Sequence, residues 1–362
     1  MRVTQNTKTR PDLLNDPILP TLKTMTVPMI FGMIMLMMFN IVDTFFISLL
    51  GTEPLAAVSF TFPVTFTVIS LAIGLGIGTS AVIAKALGSN KIDEARFDAS
   101  ISILVAVVLV LALSLIGYLL IDPVFTLLGA GQQVLPLIHD YMNIWFIGSV
   151  FLITPMIGNS VLRASGDTKT PSIVMGGAGL INAILDPMLI FGFGPIPAMG
   201  IQGAAIASVI AWAVAVVIIL YILIVKKRLL SLKAGSQTVV GAIRKILKIG
   251  VPAAGANMLT PVAMAVMTAL VANHGPEAVA AFGVGSRIES IASILVLALS
   301  MTLPPFVSQN FGAGKLCRVK DAYIGTLKFV MVWQFIIYIL LIIFSGVISQ
   351  LFGKEQAVID VI

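Results

Sequence analysis

Residues 27–58 read VPMIFGMIMLMMFNIVDTFFISLLGTEPLAAV. The stretch is apolar over most of a membrane thickness, yet it carries one acid, Asp43. It is also written twice. Val27-Pro28 recurs as Val251-Pro252, and Gly51, Glu53, Ala56 and Ala57 recur as Gly275, Glu277, Ala280 and Ala281. Each pair is 224 residues apart (27 to 251, 51 to 275). The same offset links Gly88 and Lys91 to Gly312 and Lys315, and Gly129 and Gln132 to Gly353 and Gln356. An ungapped match over roughly a hundred residues is a duplicated half, a pattern typical of membrane transporters. The acid is not duplicated. Asp43 corresponds to Met267, while Thr44 keeps its counterpart Thr268. The scaffold does without a carboxylate here, so the acid is assigned to function.

The composition agrees with a polytopic membrane protein. Hydrophobic residues make up 58% of the chain, charged residues 10%, and the mean hydropathy is +1.07. Soluble domains carry about a quarter charged residues. The net charge of +6 does not point to nucleic acid, because the bases sit in short loops and no basic patch is interleaved with aromatics. The single cysteine, Cys317, excludes a disulfide framework and a thiolate metal site. His139 and His274 lie at loop edges and make no histidine cluster. No short apolar core with a small-residue cleavage site opens the chain, so no cleaved signal is expected.

At about 20 apolar residues per crossing, spans are expected near 25–50, 55–84, 98–121, 136–162, 171–193, 198–225, 249–273, 277–304 and 325–351. Residues 355–362 read as the approach to a tenth. Lys and Arg gather before span 1 and after spans 2, 4, 6 and 8, whereas the opposite loops hold only Lys354. The positive-inside rule then puts the N-terminus in the cytoplasm. Four segments follow: a cytoplasmic tail at 1–24, a first lobe of six spans at 25–225, a basic linker at 226–248 and a partial second lobe at 249–362. The linker reads as a cytoplasmic anchor, with contact to anionic lipid as the alternative. Each repeat has an even number of spans, so the halves are parallel, related by a pseudo-twofold along the membrane normal. The second copy stops at Ile362, the counterpart of Ile138. Three spans are therefore expected to be missing, through a fragment or a truncated gene.

Four polar residues of the first half fall at one depth: Asp43, Asn182, Asp186 and Ser208. At about 1.5 Å per residue, each lies roughly 12–16 Å inside the outer end of its span. Asn182 and Asp186 stack on one helix face, being four residues apart. Two carboxylates, an amide oxygen and a hydroxyl form a hard-oxygen set, suited to Na⁺ or to a shared proton. Pro187 leaves a backbone carbonyl near residue 183 without its helical donor, a further possible ligand. The plainer reading is that an intramembrane acid merely pairs with Asn or Ser on a neighbouring helix; ionisable groups at this depth more often mark ion or substrate paths. Arg287 and Glu289 lie within span 8, on different sides of the helix, and are candidates for a central cavity. Span 1 is crowded with methionines. Packing is the first reading for them, and an adaptable substrate lining including Met33, Met37 and Asn40 is the second. Phe60, Phe62 and Phe66 are read as packing. Glycines in spans 2 and 5 allow close helix approach.

The loop RASGDTKTP at Arg163–Pro171 resembles the signature of the multidrug and toxic compound extrusion (MATE) family. So do NIVDTFF at Asn40–Phe46, GTEPLAAV at Gly51–Val58, NAILDP at Asn182–Pro187 and GIQGAAIAS at Gly200–Ser208. The resemblance runs from about residue 20 to the end. An Asp in span 1 with Asn-x-x-x-Asp-Pro in span 5 is similar to the DinF-like branch. There the matching groups form a cation-coupling site in the first lobe, which implies that role for Asp43, Asn182, Asp186 and Ser208. The last position is usually Thr. The resemblance also implies an all-α fold of two six-helix lobes, V-shaped around a central cavity, with the second lobe incomplete here.

The expected function is a cation-coupled antiporter, with Na⁺ or H⁺ driving export of amphipathic or cationic drugs across the bacterial inner membrane. No cofactor, no enzymatic activity and no nucleic-acid partner are expected, and the protein is expected to be a monomer in lipid. A lipid-linked precursor flippase of related fold is the alternative within transport. It calls for a strongly basic cavity, and the first-half spans hold no internal Lys or Arg. A truncated, non-transporting membrane module that binds a cation is the alternative outside it.

Overall fold

The computed structural model describes residues 11–233, 237–273 and 276–352. Among the described residues the regular structure is helical, joined by short turns and irregular segments, with one isolated bridge between Phe193 and Ile196. Among them, nine helical stretches are long and apolar enough to cross a membrane. The chain is thus a multi-pass α-helical membrane protein. That follows from the solvent: in hydrocarbon every backbone group must be satisfied within its own segment, which a helix achieves.

The first half contains α1 (Ile18–Ser48), α2 (Thr52–Gly88), α3 (Ile92–Leu119), the short α4 (Ile121–Leu127), α5 (Leu135–Ala164), α6 (Lys169–Ile190) and α7 (Gly200–Tyr221). A π-helical turn at Ile222–Lys226 ends α7. The second half contains α8 (Val239–Ala272), α9 (Pro276–Ala292), α10 (Ile294–Gly312) and α11 (Leu316–Phe352). The nine expected spans are all present. Three details differ. The eighth span is broken at Ser293, which separates α9 from α10. The stretch expected as a linker at 226–248 is half helix, because Thr238 accepts from the Gly241 amide at 3.1 Å and starts α8 there. The expected tail is ordered over 11–17 and docked, as described below. The beginning of a tenth span at 355–362 and His274 lie outside the described residues.

The core of the first half lies between α2, α3 and α5. Phe97, Met142, Trp145, Ile153 and Ile157 are buried there, and Trp145 meets Trp212 of α7 edge to face at 6.3 Å. Large apolar side chains also cover the outside, among them Leu111 and Leu115 on α3 and Phe329, Val332 and Phe335 on α11. Such faces belong against lipid.

The halves meet along α2, which packs on both α8 and α10, while α1 packs on α10. Small residues make this possible. A Cβ on Gly88 would collide with the Gln309 carbonyl, and one on Gly312 with the Lys85 carbonyl. The two contacts are equivalent under the 224-residue offset (85 to 309, 88 to 312). Further in, a Cβ on Gly78 would lie 2.9 Å from the Gly250 amide nitrogen. The offset counterpart of that pair is Thr26 with Thr302 (26 to 250, 78 to 302), whose hydroxyls hydrogen-bond at 2.9 Å. Direct hydrogen bonds close the seam: Ser89 Oγ donates to the Gly312 carbonyl at 2.8 Å, and Gln309 Nε2 to the Ala164 carbonyl at 2.7 Å.

Candidate functional site

Three helices bring the four polar residues together. The α6–α7 connection is tight: the Met199 amide donates to the Leu189 carbonyl at 2.9 Å, and a Cβ on Gly203 would sit 2.5 Å from that carbonyl. Gly192, with φ of 82°, supplies the backbone turn. Asn182 lies eight residues before the end of α6 and Ser208 eight after the start of α7, about 12 Å from the turn on each side. They meet accordingly, with Asn182 Nδ2 donating to Ser208 Oγ at 3.1 Å.

Helix α1 reaches the same place by lying in the glycine groove of α6. The Gly176 position faces Met35 and the Gly179 position faces Phe39. One more turn along both helices puts Asp43 beside Asn182 and Asp186. The two carboxylates lie within electrostatic reach of each other. Asn182 and Asp186 are fully buried, Ser208 nearly so, and Asp43 half-buried.

Oxygens dominate the site, and most have no partner. Asp43 Oδ1, Asn182 Oδ1 and both carboxylate oxygens of Asp186 are shielded from solvent without a hydrogen bond. Native structures rarely leave such groups unpaired, and a cluster of four calls for an occupant. The donor set is all oxygen, so it fits a hard monovalent cation or a proton shared between the acids. Ser208 Oγ is engaged with Asn182, so its part is to hold that amide. Among the described residues no group of three or more His, Cys, Asp or Glu side chains is placed to hold a metal ion, at this site or any other.

The other candidates are placed as follows. Asn40 is exposed and donates to the Leu36 carbonyl of its own helix at 2.9 Å. Met33 and Met37 are half-buried, whereas Met25 and Met29 are core. Arg287 and Glu289 are both exposed on α9, apart from the oxygen cluster. Phe60 packs on the first-half core, and Phe62 is exposed, stacked obliquely on Phe66 at 5.5 Å. One neighbour was not anticipated. Tyr141 of α5 is buried within electrostatic reach of Asp43 and Asp186. In the sequence it follows His139 and Asp140 and reads as the solvated start of a span. His139 is in fact tied to Asp122 of α4 at 2.7 Å, and Asp140 accepts from Gln202 of α7 at 2.8 Å.

An all-helical bundle with a buried, acid-lined oxygen cluster and glycine seams between halves has the organisation of a membrane transporter. The chain belongs to the MatE family, whose model matches residues 28–188 and 252–362. It is 44% identical over 354 residues to the FAD transporter of Shewanella oneidensis, covering 98% of this chain and 78% of that protein. It is 26% identical over 350 residues to the multidrug export protein MepA of Staphylococcus aureus, covering 95% and 76%. Its fold matches the crystal structure of the Vibrio cholerae MATE transporter VcmN in the bent form, with a TM-score of 0.89 at 33% identity, over 94% of this chain and 77% of that one.

Proposed function

We propose that this chain is a cation-coupled exporter of organic solutes, placed in the bacterial inner membrane with its N-terminus in the cytoplasm. The observation that carries the reading is the set of four unpartnered oxygens on Asp43, Asn182 and Asp186. A buried acid pair with no counter-ion, and with the Asn182 amide as its one nearby donor, is unstable as two bare charges, so it takes up Na⁺ or a proton. Binding the ion removes the repulsion between α1 and α6, and releasing it restores the repulsion. Such a difference lets an ion gradient bias one arrangement of the helices over another. Export follows if the seam along α2 opens and closes in step.

Two substrate classes have support. The 44% identity to a protein named FAD transporter favours a flavin dinucleotide. Likeness to multidrug export proteins favours amphipathic cations. The two differ in charge, so one preparation separates them. Vesicles containing the protein are loaded with FAD or with a cationic dye, and efflux is followed under separate Na⁺ and H⁺ gradients. Efflux of one class, accelerated by one gradient, is expected. Efflux indifferent to both gradients overturns the coupling.

A further inference from the structure

We propose that Asp98 is a second proton-holding site, at the basic-loop end of the bundle, closed by the ion pair between Glu94 and Lys245. Asp98 is fully buried, and neither of its carboxylate oxygens has a hydrogen-bond partner. It lies six residues into α3, one turn inside Glu94 on the same face. Glu94 in turn holds Lys245 of α8 at 2.7 Å. That bridge joins the first half to the second directly above Asp98.

The cation nearest in effect to Asp98, Lys245, is shared with Glu94, and Arg96, two residues away on α3, keeps a buried Nε without a hydrogen bond. Lys245 and Glu94 are the charged groups that act on it, and the Lys245 ammonium is engaged with Glu94. On α3 itself, Lys91 pairs with Glu94 at 3.4 Å and Arg96 with Asp93 at 3.6 Å. Lys85 of α2 lies over the Phe311 ring, 5.2 Å from its centre. Arg163 of α5 donates to Ser160 Oγ. Arg244 and Lys248 of α8 are exposed. A carboxylate buried without a hydrogen-bond donor is costly as a bare charge, so taking up a proton relieves it. Packing does not require an acid here. The position 224 residues on is Ala322, which is also fully buried. On α2 and α5, Thr79, Ser80 and Asn159 each hold a buried polar atom without a partner.

The consequence is a gate. While α3 and α8 stay bridged, the proton on Asp98 is sealed. When α8 moves away, Glu94 and Lys245 part and the acid meets water. Its use in coupling rests on the antiport reading; the existence of the site does not.

Infrared difference spectra of the purified full chain test this. At mildly acidic pH, Asp98→Asn should remove a protonated-carboxyl carbonyl band. Asp98→Ala, which copies the residue tolerated at Ala322, should remove the same band. Lys245→Met should speed exchange of that proton for deuterium by about tenfold, as expected when a local closure is lost. Loss of ionised-carboxylate bands instead, or exchange no faster in Lys245→Met, overturns the proposal. The Asp43→Asn/Asp186→Asn double variant should keep the band, so its efflux defect would speak to the other site alone.

Discussion

Asn182 donates to the Ser208 hydroxyl at 3.1 Å, leaving its own carbonyl oxygen buried and unpaired beside Asp186. The hydroxyl thereby decides which end of the amide faces the acids. Ser208→Ala removes the acceptor and frees the amide to turn its N–H groups toward the carboxylates. A donor would then stand where an ion ligand stood. The expected loss is about 1–2 kcal/mol in ion binding, or roughly tenfold. Ser208→Thr keeps the acceptor and should bind as the parent does. Ion-dependent protection of Asp186 from a carbodiimide, titrated in all three proteins, checks this.

Asp43→Asn and Asp186→Asn keep the shape of the side chain and lose its charge. Each should abolish gradient-driven efflux in vesicles while insertion and yield remain at the parent level. An amide in place of either acid cannot alternate between a repelling and a neutral pair. Parental efflux from either variant would remove the acid pair from the mechanism.

Much of this was legible from residues alone because depth in a membrane is measured by counting. Asp43, Asn182, Asp186 and Ser208 each lie on a helix a countable distance from a turn, so their common layer follows from rise per residue. Asp98 was not legible for the opposite reason. It ends the run Asp93, Glu94, Arg96, which reads as the solvated first turn of a helix. It lies beside α8, whose Lys245 binds Glu94, and beside the segment after α7, whose Ser231 amide donates to Ser100 Oγ at 2.9 Å. Both come from more than a hundred residues away, and no local pattern announces such cover. The break at Ser293 is likewise silent in hydropathy, since Gly285–Gly312 is long and apolar enough to read as one crossing.

The glycine seam between the halves should tolerate no side chain. Gly88→Ala and Gly312→Ala each drive a methyl into a backbone carbonyl of the facing helix. Backbone does not swing aside as a side chain does, so each should cost about 1–3 kcal/mol or more. Gly177→Ala is the control: nothing lies within 4 Å of its added methyl. Alanine there should be neutral or slightly stabilising, by up to about 1 kcal/mol from helix propensity. Thermal unfolding in detergent, followed by tryptophan fluorescence, ranks the three. A Gly312→Ala protein as stable as Gly177→Ala would mean that the helices part at that seam without resistance.

The segment before α1 is bound to the second half by five side-chain hydrogen bonds, and Arg318 is at the centre of them. Arg318 of α11 donates through Nη2 to the Asp16 carbonyl at 2.7 Å and the Leu13 carbonyl at 3.3 Å. Its Nε donates to Asn310 Oδ1 at 3.0 Å, which orients Asn310 to donate to the Leu13 carbonyl at 3.0 Å. Lys315 adds the Leu14 carbonyl at 2.9 Å. Leu13 itself is buried against Phe306 and Ala322. Arg318→Ala removes two donors at once and loosens Asn310, and hydrogen bonds from a charged group contribute about 1.5–3 kcal/mol each at most. The segment should therefore open far more often without unfolding the bundle. Hydrogen exchange of the amides of Leu14, Asn15 and Asp16 should rise by about tenfold or more, while amides of α2 stay protected. Arg318→Lys restores charge but not the paired geometry, and should recover only part of the protection. Exchange at parental rates in Arg318→Ala would show that Leu13 burial alone holds the segment in place.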